Sequence, residues 1–394
     1  MRLNRVCNNK TPRIAFFRGV DFDKPIGASD WRIALYQPEF GFDVWIMGRG
    51  RGITINLPGV HLVSFNSYNI PILSTFMMGL NYALQAIKSD IDIVVCNPGI
   101  FFSTLLIKIL RPSIRVILDI RSIPVEVNGL NKFFNKLNYD FIFASHLYDA
   151  ISVITIGMLN DLNQQYNFVG RVPTVVWESG FDDGVFKPCT ENYGKKLFDD
   201  IDTCFIIMFH GSLSHNRGLF EVVHSLKILK DLGINDIRFV LIGTGSAKTD
   251  LIKLAEKLGV ENFIIQLPTV PYNELPGIVA LADIGIDPLP DHPWWRHQSS
   301  LKVFEYLAMG KPVLATDLPC HQNISEAVIL MPNNSPKTIA DAVIDYRSLS
   351  LEKKAGLHKA ALRDAKKNTW RVRAETLAGF IQKEVLIKGN LNGL

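Results

Sequence analysis

Short apolar runs alternate with segments of helical periodicity along most of the chain. This alternation predicts βαβ units, in which buried parallel strands are joined by helices that cover the sheet. In the first half the predicted strands are Arg13–Phe17, Asp43–Met47, His61–Phe65, Ile91–Cys96, Arg115–Asp119, Ile151–Thr155 and Thr174–Trp177.

The pattern stops in a polar stretch from Cys189 to Asp202 and then starts again. The second half predicts strands at Cys204–Phe209, Arg238–Ile242, Phe263–Gln266, Ile284–Ile286, Pro312–Ala315 and Val328–Met331. We therefore predict an α/β chain with two Rossmann-like domains, residues 1–188 and 189–367, and a helix in 368–394 that returns to the first domain. The carboxyl ends of both sets of strands would face one interdomain cleft, where α/β proteins bind ligands.

The composition is that of an ordinary globular protein and argues against several classes of function. The formal charge is only +4, and no long basic run could follow a nucleic-acid backbone. The five cysteines stand singly, which indicates neither a disulfide framework nor a metal site. The first residues lack the apolar core of a signal peptide, so we expect a cytoplasmic protein.

One segment of the first half, residues 131–137, is both aromatic and basic. Such a segment fits peripheral contact with the inner face of a membrane. It equally fits a solvated helix with one buried face, and the sequence leaves both interpretations open.

The most informative helix is predicted after Ser300, which stands at a capping position, and it ends at Gly310 and Pro312. Lys302 then lies in the first turn, where the helix dipole is positive and a cation is disfavoured unless an anion binds there too. Glu305 follows on the same face, so a ligand could meet both an ammonium and a carboxylate, although a surface ion pair is the alternative.

The same anomaly occurs at the start of the second half. After the strand Cys204–Phe209, Gly211 permits close approach of a backbone or ligand, and Arg217 precedes a helix. Two cations at electropositive helix starts on one domain are hard to explain by solvation, whereas a diphosphate would satisfy both.

Two further turns follow strands of the second half. Gly243 and Gly245 resemble part of a dinucleotide fingerprint, but the third glycine is absent, which favours a close-approach turn beside phosphates over NAD binding. Thr269 lies in a loop whose backbone groups could contact a base edge, or which simply connects two elements.

These motifs together resemble the family 4-type retaining glycosyltransferases, members of the glycogen-synthase-like clan with the GT-B fold of two Rossmann-like domains. The matching segments are 211–218, 241–245, 302–313 and 176–182, with Phe186, Pro188 and the Trp370 tail. The resemblance covers about residues 170–385. The combination of these segments is specific to the family, although no single segment is.

The resemblance implies that Arg217 and Lys302 bind the donor diphosphate and that Glu305 binds the ribose hydroxyls. Arg121 is a further candidate for contact with the donor sugar or phosphate. Ser212 and His297 replace an arginine and a glutamate that the family often has. The remaining candidate donor-binding residues lie in the glycine turns, at the start of the predicted helix or in nearby loops. They are Gly27, Gly211, Ser212, Gly243, Gly245, Thr269, His297, Ser300 and Leu301.

The expected activity is transfer of a sugar from a UDP- or GDP-sugar to a glycan or lipid-linked acceptor, as in polysaccharide biosynthesis. The resemblance implies retention of configuration, and the two cations could stabilise the leaving diphosphate without a metal or other cofactor. Two other activities stay open: a nucleotide-sugar epimerase on the same fold, and a non-catalytic two-domain protein that binds a small ligand.

Overall fold

The computed structural model describes residues 10–22, 29–50, 58–65, 71–122, 130–188 and 203–387. The chain forms two compact units. Unit 1 consists of Met1–Glu178 together with Trp370–Leu394, and unit 2 consists of Ser179–Thr369. The chain thus passes between units at residues 178–179, somewhat before the predicted boundary at 188, and again at 369–370.

Unit 1 contains a parallel sheet with the strand order β3-β2-β1-β4-β5-β6-β7. Its strands are β1 (Arg13–Asp21), β2 (Asp43–Arg49), β3 (Val60–Phe65), β4 (Ile93–Cys96), β5 (Arg115–Ile120), β6 (Ala150–Val153) and β7 (Thr174–Val176). Its α-helices before the chain leaves the unit are α1 (Ser29–Tyr36), α2 (Pro71–Lys88), α3 (Ser103–Leu110), α4 (Leu130–Ser145) and α5 (Ile156–Tyr166).

The connections fix which helices share a face of this sheet. The crossovers from β3 to β4, β4 to β5 and β5 to β6 all advance in the same direction across the sheet. Because such crossovers are right-handed, α2, α3 and α4 cover one face. The crossover from β1 to β2 runs the opposite way, which places α1 on the other face.

Unit 2 contains a second parallel sheet, with the order β10-β9-β8-β11-β12-β13. Its strands are β8 (Phe205–His210), β9 (Ile237–Ile242), β10 (Ile264–Leu267), β11 (Ile284–Asp287), β12 (Val313–Thr316) and β13 (Val328–Met331). Its α-helices are α6 (Leu219–Asp231), α7 (Lys248–Leu258), α8 (Leu275–Val279), α9 (Pro293–Arg296), α10 (Leu301–Ala308), α11 (Pro336–Ser348) and α12 (Leu351–Ala365).

Every strand predicted from the apolar runs is present, with ends shifted by a few residues at most. The strands β4, β6, β11 and β12 are buried along their whole length, as expected when helices cover both faces of a parallel sheet. The prediction of two Rossmann-like domains is confirmed.

The C-terminal tail is helical, as predicted, and belongs to unit 1. It consists of α13 (Trp370–Phe380) followed directly by a π-helical segment, Ile381–Ile387. The Trp370 ring is fully buried, Gln37 donates a hydrogen bond to the Ala374 carbonyl (3.2 Å), and Arg371 pairs with Glu39 (2.7 Å). The tail therefore completes the face of the unit 1 sheet that α1 covers.

Candidate functional site

The candidate site of unit 2 is built around the start of α10. Ser300 precedes the helix, and Gly310 ends it in the left-handed conformation (φ 71°), with its N–H bonded to the Leu307 carbonyl at 2.9 Å. Lys302 lies in the first turn, as predicted, but its side chain is buried, with only 8% of its surface exposed. A buried ammonium at the positive end of a helix requires a nearby negative charge.

Asp287, at the carboxyl end of β11, supplies that charge. It is fully buried, and its Oδ1 lies 3.2 Å from the Lys302 Nζ. Its Oδ2 accepts hydrogen bonds from the Ser300 hydroxyl at 2.6 Å and from the His321 Nε2 at 3.1 Å. Although burial alone would raise the pKa of Asp287, its positive and hydrogen-bonding neighbours hold that pKa well below the usual range. Asp287 is therefore ionised.

Ser300 differs from its predicted role. It occupies the N-cap position of α10, but its side chain makes no capping hydrogen bond to the backbone. The hydroxyl donates to Asp287 instead, because the buried carboxylate is the stronger acceptor. The first N–H groups of α10 therefore donate no hydrogen bond to the Ser300 side chain, the usual capping acceptor. Leu301, the first residue of the helix, is half-buried.

Arg217 lies next to this cluster, at the end of a short 3₁₀ turn (His215–Arg217) that precedes α6. Its guanidinium lies 4.8 Å from the centre of the Trp295 ring. Burial lowers the pKa of Arg217, and the charge of Asp287 opposes that shift. Arg217 in turn contributes to lowering the pKa of Lys302, after burial, which is the larger cause. The structure thus brings the two predicted cations together around one carboxylate.

One buried nitrogen of Arg217 lacks a hydrogen-bond acceptor among the described residues. This nitrogen, Nε, makes no hydrogen bond to any part of the chain that the structure describes. A buried donor without an acceptor is costly, and an anionic ligand beside Lys302 would relieve that cost.

Glu305 is also buried, one turn further along α10, with 4% of its surface exposed. Its Oε1 accepts a hydrogen bond from the Tyr272 hydroxyl at 3.0 Å, and its Oε2 lies 3.4 Å from the His210 Nε2. Burial and the nearby Lys302 lower the pKa of His210 to about 3, so this imidazole is neutral at pH 7. Glu305 is therefore not a member of a surface ion pair with Lys302, the alternative left open by the sequence.

The predicted glycine turns interlock through their backbones. Gly211 and Gly243 have φ values of 125° and 138°. A Cβ added at Gly243 would lie 2.0 Å from the Gly211 carbonyl oxygen, and one at Gly245 would lie 2.2 Å from that of Leu213. At Gly211 it would meet only the Lys302 Cε, at 3.9 Å. The turn after β8 therefore borders Lys302 on a side with free space.

The other predicted donor-binding residues are placed less distinctively. Ser212 and Thr269 are exposed, after β8 and β10 respectively, and His297 is half-buried just after α9. Gly27 lies outside the described residues. The roles of these residues in binding stay predictions.

Arg121, the candidate from unit 1, follows β5 and contacts Trp177. Its guanidinium lies 3.4 Å from the centre of the Trp177 ring, and its Nη1 donates to the Trp177 carbonyl at 2.6 Å. Its predicted contact with a donor stays a prediction.

Sequence reasoning missed Asp287 and His321, which hold the centre of the site. Asp287 ends an apolar strand, and a carboxylate at that position is a signal that the sequence offers. His321 lies in a loop after β12, with no motif around it. The described residues contain no group of three or more His, Cys, Asp or Glu side chains arranged to hold a metal ion.

The comparisons with known proteins agree with this geometry. Residues 204–348 match the family model for glycosyl transferases group 1. A 95-residue segment is 36% identical to the putative teichuronic acid biosynthesis glycosyltransferase TuaH of Bacillus subtilis, and it covers 24% of this chain and 23% of that protein.

Solved structures match nearly the whole chain. The sucrose-phosphate synthase of Thermosynechococcus elongatus superposes with a TM-score of 0.75 at 13% identity, over 94% of this chain and 98% of that one. Anabaena HepE in complex with UDP-glucose superposes with a TM-score of 0.72 at 15% identity, over 94% and 99%. Residues 204–348 thus resemble the group 1 glycosyl transferases, and the chain has the two-domain GT-B fold.

Proposed function

We propose that this protein is a glycosyltransferase that moves a hexosyl group from a UDP- or GDP-sugar to an acceptor. The observation that carries the proposal is the pairing of Arg217 and Lys302 around Asp287, beside a helix start and an open glycine turn. The family match of residues 204–348 and the UDP-glucose in the HepE structure support the same assignment.

The chemistry asked of these residues is stabilisation of a leaving group. When the bond from the sugar to the diphosphate breaks, negative charge accumulates on the departing phosphate oxygens. Arg217, Lys302 and the first N–H groups of α10 would meet that charge in a partly buried site, where fixed donors act more strongly than in water. Transfer with retention of configuration is part of the proposal, by resemblance to the family 4-type enzymes.

We also propose that the reaction proceeds without a resident metal or other cofactor, because the two cations can neutralise the diphosphate. Turnover should then be unchanged when the enzyme is assayed in excess EDTA. A loss of activity that Mg²⁺ or Mn²⁺ restores would contradict this part of the proposal.

Glu305 provides the test of nucleotide binding. As an ionised acceptor it would hold the ribose hydroxyls of the donor, and Glu305→Gln removes that charge while an oxygen remains for Tyr272. Affinity for UDP or GDP, measured by titration calorimetry, should fall by about 1.5–3 kcal/mol. Glu274→Gln, an exposed carboxylate of the same unit, is the matched control. Equal affinities in both variants and in the wild type would refute this role.

The two other activities give different outcomes in a simple assay. An epimerase would convert UDP-N-acetylglucosamine when no acceptor is present. A binding protein would take up nucleotide sugars without turnover in any acceptor panel. Transfer that depends on an acceptor would exclude both.

For the acceptor we propose a glycan or a lipid-linked glycan, at the inner face of a membrane. The teichuronic acid assignment of TuaH supports the glycan. None of the described helices is both long and apolar enough to cross a bilayer. We propose that contact with a membrane involves the surface of unit 1.

The face of unit 1 formed by α2, α3 and α4 supports such contact. These helices carry several large apolar side chains that are about half exposed or more: Phe76, Leu84, Leu105, Ile109, Leu110, Leu137 and Phe141. Within the same helices the charged residues are four lysines and a single acid, Asp140. Exposed apolar groups among mainly basic charges match the chemistry of an anionic lipid surface.

Vesicle flotation tests this contact. The protein should float with vesicles that contain phosphatidylglycerol and not with vesicles of phosphatidylcholine alone. Ile109→Ser should weaken flotation, whereas Leu351→Ser, at a still more exposed leucine of unit 2, should not. Equal flotation of both variants would exclude this face as the contact.

A further inference from the structure

His321 is a buried histidine in the loop that follows β12, and it touches the candidate site only through Asp287. Its side chain is 1% exposed. The ring Nδ1 lies 2.7 Å from the Thr316 carbonyl oxygen, and the Nε2 lies 3.1 Å from the Asp287 Oδ2. Both ring nitrogens are thus placed for hydrogen bonds.

The partners of the ring fix its protonation state. A carbonyl oxygen only accepts hydrogen bonds, so Nδ1 must carry a proton. Asp287 also only accepts, because it is ionised and its two oxygens accept hydrogen bonds from Ser300 and Lys302. Nε2 must then carry a proton as well, and the ring is an imidazolium. In agreement, the pKa of His321 is raised to about 10, as its interactions with Asp287 and the neighbouring Cys320 outweigh burial.

This charge changes the balance around Lys302. A neutral histidine would leave Lys302 and Asp287 as a pair with no net charge, which attracts an anion only weakly. With the imidazolium, two cations share one carboxylate. The three groups then have a net charge of +1, and the charges of Arg217 and Glu305, which also act on Lys302, offset each other.

We propose that His321 is a positioning residue for the anion site: it shares the Asp287 carboxylate with Lys302 and so leaves the ammonium free to bind a diphosphate. His321 itself need not touch the ligand. The proposal rests on the function proposed above and goes beyond it, because it names the source of the site's excess positive charge.

The proposal predicts a change at Lys302 without any ligand. The charged groups that face the Lys302 ammonium are Asp287, Arg217 and Glu305. His210 is also nearby, but its imidazole is neutral at pH 7. Replacing His321 with glutamine keeps a donor for Asp287 but removes one positive charge from the cluster. Lys302 should therefore titrate at a higher pH in His321→Gln than in the wild type.

Nitrogen-15 NMR of the full-length protein can measure both states. The wild type at pH 8 should show one imidazolium among its histidine rings, and this signal should be absent from His321→Gln. The Lys302 signal, assigned by its loss in Lys302→Met, should show the rise in pKa. His224→Gln, an exposed histidine on α6, should change neither the imidazolium signal nor the Lys302 titration.

UDP affinity is the second measurement. It should be about tenfold weaker in His321→Gln than in the wild type and His224→Gln, as expected for loss of one nearby charge. Inorganic pyrophosphate should show the same ratio, since the effect is on the diphosphate and not on the base.

The outcomes separate the two proposals. A neutral His321 at pH 8, or an unchanged Lys302 titration in folded His321→Gln, would overturn the positioning role whatever the protein binds. Equal UDP affinity of His321→Gln and the wild type would overturn it too. If the wild type binds neither UDP nor GDP, the proposed function fails, and the NMR titration still decides the protonation state and charge sharing of His321.

Discussion

Both units place a cation beyond the carboxyl end of a buried parallel strand, but they satisfy it differently. In unit 1, Arg121 stacks on the Trp177 ring and donates to the carbonyl of the same residue. In unit 2, Lys302 relies on Asp287, a carboxylate that it shares with a second cation. The Trp177 contacts of Arg121 are with a neutral residue, whereas Lys302 belongs to a cluster with surplus positive charge. The position of a cation in the fold therefore indicates less about whether it binds an anion than the net charge of the groups around it does.

The strongest way to break this comparison is to remove the shared carboxylate. Asp287→Asn would leave Lys302 and His321 buried without their counter-charge, so the free energy of unfolding should fall by about 3–5 kcal/mol. Denaturant titration of the full chain measures the loss. Asp291→Asn, in an exposed ion pair, should change the free energy of unfolding far less. Equal losses in the two variants would mean that the buried cluster has no special role.

Turnover tests the surplus charge directly. Arg217→Ala and Lys302→Met should each lower kcat by about a hundredfold or more, because each removes a donor aimed at the departing diphosphate. Initial-rate measurements with a UDP- or GDP-sugar check this, and thermal unfolding verifies that the variants are folded. Lys227→Ala, in a surface pair with Asp231, is the matched control. Wild-type rates in both site variants would end the enzymatic assignment.

The corresponding substitution in unit 1, at Arg121, should affect stability rather than nucleotide binding. Arg121→Met removes a stacked charge and a hydrogen bond to the Trp177 carbonyl, so we expect unit 1 to lose about 1–3 kcal/mol of stability. Hydrogen exchange of the β5 and β6 amides reports that loss, while UDP affinity should stay unchanged. Weaker UDP binding with unchanged amide protection would instead make Arg121 a donor-binding residue, as the family resemblance implies.

The last effect is spread over several pH units. The pKa of His210 is lowered to about 3, so below about pH 6.5 the unfolded chain binds a proton that the native chain does not. Stability should therefore fall as pH decreases from 6.5 towards 3, by at most about 1.4 kcal/mol per pH unit from this group.

His210→Asn should remove this part of the pH dependence. His61→Asn, at an exposed histidine of unit 1, should not. Both are measured by chemical denaturation at a series of pH values. If the two variants retain the same slope as the wild type, His210 does not titrate as its surroundings require.

The sequence could predict the strands and the placement of Lys302 and Arg217, because both depend on local patterns: apolar runs, and cations beside helix starts. It could not predict that Ser300 would turn from its helix to Asp287, or that His321 would reach the same carboxylate. Those contacts join segments that are distant in the chain, and they depend on how β11 and β12 are paired. The register in which two strands pair cannot be predicted from the composition of either strand.

The interlocked glycine turns have a consequence for how this protein can change over time. Side chains at Gly243 and Gly245 would collide with carbonyl oxygens of the facing loop. A substitution at either glycine would therefore require a compensating change in that loop. The backbone of the two glycine turns, next to the proposed phosphates, is thus fixed by steric exclusion. Adaptation to a new sugar or base would have to come from the more exposed positions around it, such as Ser212 and Thr269.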